Sequence, residues 1–90
     1  MKILQTPTFK RKYKKLSSTQ QSIIKETLVK ICNNPTIGTV KKADLANVRV
    51  HKFKIHNQEY LLAYSVDLTL QQIILLTIGS HENFYRNLKR

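Results

Sequence analysis

The sequence predicts a small α+β domain, β-α-α-β-β-β-α in order, with a helical hairpin packed on an antiparallel meander sheet. Three observations carry this. First, Thr77 is the single weakly polar residue between Ile73 and Ile78, and Leu75 and Leu76 are adjacent, so no face of this stretch is spared and a strand buried on both sides is implied. Second, two segments with helical periodicity, Phe9/Tyr13/Leu16 and Ile24/Leu28/Ile31, are separated by little more than Ser17-Ser18, which forces an antiparallel hairpin. Third, three apolar-rich stretches follow one another after Asn47 with short polar connections, the pattern of a meander. The 90 residues make one domain, 1–90. A domain of this size buries only about 60% of its unfolded surface, so no deep cofactor cavity and no cofactor are expected.

In chain order, Lys2 to Gln5 is a short strand stopped by Thr6-Pro7, and Pro7 suits the first turn of a helix. Around the narrow stripe Phe9/Tyr13/Leu16, the other faces of that helix carry Lys10, Arg11, Lys12, Lys14 and Lys15, with nothing acidic interleaved. This run is either a solvated face or an electrostatic docking surface. Ser18 with Gln21 makes a capping box for the second helix, and Asn33-Asn34-Pro35 ends it because proline cannot continue the hydrogen-bond ladder. Thr36 to Asn47, with Gly38, Lys41, Lys42 and Asp44, has no clean period and reads as an ordered loop.

Val48 to Ile55 alternates with a break. One face carries Val48, Val50, Lys52 and Lys54, the other Arg49, His51, Phe53 and Ile55, so each is apolar over half its length and a bulge or strong twist is expected between the halves. Lys52 and Lys54 project from one side, about 7 Å apart. They either share an ordinary solvent face or repel until an anion lies between them. His56-Asn57-Gln58 is a tight connection, Glu59 to Val66 a central strand, and Asp67-Leu68-Thr69 the turn into the last strand. Gly79 then permits a sharp turn that delivers His81 at the edge of the core, with the hydroxyl of Tyr85 one helical turn later. His81 is either a site residue on a rigid support or the start of a surface helix. Phe84 and Leu88 would hold that helix to the sheet, and Arg86, Lys89 and Arg90 make its tail basic.

Lysine and arginine number 16 against 5 acidic residues, a formal charge of +11. Such a charge costs self-repulsion and points to a polyanionic partner, with nucleic acid the leading class. No run approaches a membrane span or a signal core, and the lone Cys32 fits a reducing cytoplasm. There is no CxxC pair, HExxH, glycine-rich phosphate loop or Ser-His-Asp set, and three histidines with one cysteine are too few and too scattered for a metal site.

The ordered set of KKADLANVRVHKFKI, with Leu45, Arg49, Lys52 and Lys54, then EYLLAY, with Tyr60 and Tyr64, then IGSHENFY resembles the RelE/ParE superfamily of toxins from bacterial type II toxin-antitoxin systems. The histidine ending resembles its YafQ-like branch. The resemblance implies the β-α-α-β-β-β-α fold and one of two activities: ribosome-dependent cleavage of mRNA without a metal, or, as in the ParE-like branch, poisoning of DNA gyrase without hydrolysis. In the nuclease case Lys52 and Lys54 would neutralise the phosphate, His81 would act as general base or acid, Tyr85 would stack on or orient a nucleotide, and Glu59 would stand near the place of an acidic residue of the YafQ-like branch. Lys10, Arg11, Lys12, Lys14, Lys15, Lys41, Lys42, Arg49 and Arg86 would form the RNA- and ribosome-binding surface. An acidic cognate antitoxin is the implied partner. One departure stands out: Leu61 replaces the arginine that the RelE branch carries after the residue matching Tyr60, and His81 replaces another near the last strand end.

Overall fold

The computed structural model describes residues 2–35, 37, 39–40 and 48–82. Seven elements follow one another: β1 (Lys2–Gln5), α1 (Pro7–Lys14), α2 (Ser18–Asn33), β2 (Thr39–Val40), β3 (Val48–Ile55), β4 (Gln58–Asp67) and β5 (Gln72–Ser80). They form a five-stranded sheet in the order β1-β5-β4-β3-β2. The meander β3-β4-β5 is antiparallel as expected, but β1 joins the outer edge of β5 in parallel, which makes the sheet mixed. The two-residue β2 lies in the stretch read from sequence as a loop.

Both helices start where local chemistry dictates. Pro7 occupies the first turn of α1, where its missing N–H costs nothing, and the Thr6 hydroxyl caps the helix by accepting from Phe9 N at 3.1 Å. The capping box of α2 is Ser17/Gln20, one residue earlier than Ser18/Gln21: Ser17 Oγ accepts from Gln20 N at 3.2 Å, and Ser17 N donates to Gln20 Oε1 at 2.9 Å. Paired serines and paired glutamines offer the same motif in two registers, and Ser17 is the one with extended backbone. The Gln20 amide group then donates to the Tyr60 hydroxyl at 3.1 Å, tying the start of α2 to the sheet.

The sheet is apolar on both faces. On the helix side, Phe9, Ile24 and Ile31 pack with Ile55, Tyr60, Leu62, Tyr64, Ile73, Leu75 and Ile78. On the opposite side Val50, Leu61 and Ala63 form a second cluster with Val48 and Leu76. This explains the broken alternation in β3 without a bulge there. Its pairing with β4 runs unshifted from Val48 to Ile55, Val48 and Val50 serve the second cluster, and Phe53 and Ile55 serve the first. The bulge lies instead between β4 and β5. Tyr64 opposes Leu75 and Ala63 opposes Thr77, leaving Leu76 as the extra residue. Odd positions Ile73 and Leu75 therefore face the helices before the bulge, and even position Ile78 faces them after it.

Thr6 fastens this bulge. Its backbone N–H donates to the Leu75 carbonyl at 3.1 Å and its hydroxyl to the Leu76 carbonyl at 2.8 Å. At the far end, β3 and β4 are joined by His56 and Asn57 alone, both with positive φ, as a two-residue hairpin of matching twist requires. Gly79 is not the expected turn. It is an extended residue within β5, paired with Leu61, and the strand runs on to Ser80. His81 and Glu82 begin a helical turn, and the rest of the expected last helix lies outside the described residues.

Candidate nucleic-acid interface

Cross-strand register brings the site together on the sheet face away from the helices. Lys54 of β3 opposes Glu59 of β4, and Ser80 opposes Tyr60, so the next residue, His81, arrives beside Glu59. Their side chains meet at 3.6 Å, Nε2 to Oε1. One row along, Lys52 opposes Leu61, which opposes Gly79. The following row is Val50, Ala63 and Thr77. Four of the five residues expected to carry chemistry, His81, Glu59, Lys52 and Lys54, thus share one face. Tyr85 lies outside the described residues, as do Lys41, Lys42 and Arg86 of the expected binding surface.

Lys52 and Lys54 are exposed on a rigid strand, about 7 Å apart along it. Two ammonium groups at that spacing repel by about 0.6 kcal/mol in water, and a phosphate between them converts the repulsion to attraction. Glu59 works against anion binding, so its place beside His81 needs another reason. A carboxylate beside an imidazole attracts the ring's N–H edge and so limits the directions in which the ring points. The 3.6 Å separation is an ion-pair distance, too long for a hydrogen bond. With side chains 54% and 39% exposed, the pair contributes only about 0–1 kcal/mol to stability. Its value is positional.

The remaining cations divide. Arg49 alternates onto the helix side with His51, Phe53 and Ile55. His51 stacks on Phe53 at 6.0 Å on the face opposite Lys52 and Lys54, and burial, reinforced by the Lys30 charge, lowers its pKa. On α1, Lys10, Arg11, Lys14 and Lys15 are exposed, but Lys12 is half-buried and its ammonium donates to Thr77 Oγ1 at 3.0 Å. Burial, then the charge of Arg11, lowers the Lys12 pKa. Sequence reading treated these five cations as equivalent. The signal that separates Lys12 is its place one turn after buried Phe9, together with the lone hydroxyl in the β5 run.

Among the described residues no group of three or more His, Cys, Asp or Glu could hold a metal ion, and no helix is long and apolar enough to cross a membrane. The fold and these residues define a small, strongly basic α+β domain that carries exposed lysines and an imidazole–carboxylate pair at one end of a sheet face. Residues 3–89 match the family described as ParE-like toxin of type II bacterial toxin-antitoxin system, and the chain belongs to that family. Similar solved structures share the fold. The isolated E. coli RelE toxin is 22% identical with a TM-score of 0.71, covering 99% of this chain and 96% of its own. A chain of the intact E. coli RelBE toxin-antitoxin complex is 22% identical at 0.72, covering 87% and 93%. A chain of a RelBE toxin-antitoxin complex of Mycobacterium tuberculosis is 18% identical at 0.77, covering 89% and 96%. No curated protein matches the chain.

Proposed function

We propose that this toxin is an endoribonuclease that cuts mRNA on the ribosome, in the bacterial cytoplasm. The observation that carries the reading is the His81–Glu59 pair standing on the same sheet face as Lys52 and Lys54. In the proposed reaction His81, oriented by Glu59, takes the proton of the ribose 2′-hydroxyl. The oxygen attacks the adjacent phosphorus, the bond to the 5′-oxygen breaks as that oxygen takes a proton from solvent water, and a 2′,3′-cyclic phosphate and a 5′-hydroxyl result. Lys52 and Lys54 neutralise the charge that accumulates on the phosphorane, the step where electrostatic stabilisation counts most. Tyr85 would orient a flanking nucleotide. The cations of α1, with Lys41, Lys42, Arg49 and Arg86, supply the wider attraction to ribosomal RNA. An acidic antitoxin is the proposed partner, in line with the complexes of RelBE proteins to which the fold is similar.

The test is expression followed by mapping of transcript ends. In-frame cuts should appear and vanish in His81→Ala, whereas intact transcripts during growth arrest would exclude nuclease action. A second reading, inhibition of DNA gyrase, is favoured by the family's ParE-like description and by Leu61, fully buried where the RelE branch has an arginine. It predicts double-strand DNA breaks and an SOS response with transcripts uncut.

A further inference from the structure

The row Val50–Ala63–Thr77 is buried and has no ionisable side chain of its own, yet an ammonium meets it at its outer end, Thr77. Two features deliver Lys12 there. Pairing of β1 with β5 ends at Leu75, which leaves the outer edge of β5 beyond that point to α1. The bulge at Leu76 also turns Thr77 to the face of Ala63, the same face as Lys52 and Lys54. Lys12 reaches round this edge. Its partner is a neutral hydroxyl, which positions the ammonium without cancelling its charge and engages one of its three N–H donors. Partial desolvation, which lowers its pKa, also reduces the screening of its attraction to an anion. Lys54 and Lys52 stand on β3, and the Lys12 ammonium stands at the outer edge of β5, two strands (about 10 Å) across the sheet and one row (about 7 Å) along from Lys52.

Resting on the nuclease reading above, we infer that Lys12 is a third substrate-binding residue, holding an RNA backbone phosphate that flanks the scissile site across the sheet, and that Thr77 positions it. The experiment uses the full chain with Lys12→Gln, Lys12→Arg, Thr77→Val and, as a matched charge change elsewhere, exposed Lys25→Gln on α2. The probe is a ribosome programmed with mRNA carrying a 2′-deoxy A-site codon, titrated over KCl concentration, alongside cleavage of the all-ribose message. Lys12→Gln should weaken binding roughly tenfold and lower the salt slope by about 0.7, the share of one single-strand phosphate. Lys12→Arg should restore most of the affinity. Thr77→Val should lose part of it, and the Thr77→Val, Lys12→Gln double variant should lose no more than Lys12→Gln alone. The inference is overturned if Lys12→Gln lowers only the melting temperature, leaving slope and kcat/KM unchanged, or if Lys25→Gln shifts the slope equally. If the unaltered toxin binds the programmed ribosome but leaves the all-ribose message uncut, the nuclease reading falls instead.

Discussion

Replacing Thr6 by valine tests whether one side chain holds the sheet's only described irregularity in register. Its hydroxyl accepts from Phe9 N at 3.1 Å and donates to the Leu76 carbonyl at 2.8 Å. Valine keeps the shape and removes both bonds. Loss of an N-cap costs about 1 kcal/mol, and loss of the bond to the bulged carbonyl about 1 more. A domain of this size loses roughly 4–8 °C per kcal/mol, so Thr6→Val should melt about 8–16 °C lower by circular dichroism. Thr6→Ser keeps both bonds and should lie close to the parent. Thr6→Asp accepts but cannot donate when ionised, so it should recover the cap alone, about half the deficit. A Thr6→Val variant melting within 2 °C or so of the parent would refute the reasoning, as would an aspartate variant that recovers everything.

Three further outcomes follow from the geometry. Lys52→Ala and Lys54→Ala, both exposed, should leave stability within about 0.5 kcal/mol, and under the nuclease reading each should reduce cleavage by about 100-fold, measured by melting and by transcript-end mapping. His51 has a folded pKa below its ordinary 6.5, so the unfolded chain binds the proton more readily and stability should fall as pH drops below about 6.5. Urea titrations from pH 7.5 to 5 should show this decline, reduced in His51→Gln; an equal decline in both would assign it to other groups. Tyr64→Phe removes the bond from a fully buried hydroxyl to the Pro35 carbonyl at 2.8 Å and should cost about 1 kcal/mol in urea unfolding.

The helices, the meander and the double-sided burial of β5 were legible because each writes a period or a boundary into the chain. The broken alternation of β3 was legible too, but its cause was not. Half-apolar faces arise equally from a bulge or from a sheet with two apolar sides, and only the partners of Val50 and Ile55 distinguish these. The true bulge hides in Ile73 to Ile78, where a run with one weakly polar residue, Thr77, carries too little parity to betray a shift. At Gly79, the absence of a side chain was read as a turn when the residue is extended within the strand, opposite Leu61. The pairing of Lys52 with Lys54 followed from alternation alone, whereas the meeting of His81 with Glu59 and of Lys12 with Thr77 depends on register between distant strands and on where β1 stops.

The parallel seam between β1 and β5 has a bearing on how the molecule comes into being. Thr6 and Leu76 are 70 positions apart, and Lys12 and Thr77 are 65 apart, so the first helix cannot be seated until β5 has been made. Contacts of such long range form late. A nascent toxin whose β5 is still inside the ribosome therefore lacks the strand that delivers His81, and the surface bearing Lys52, Lys54 and His81 assembles only once that strand has emerged.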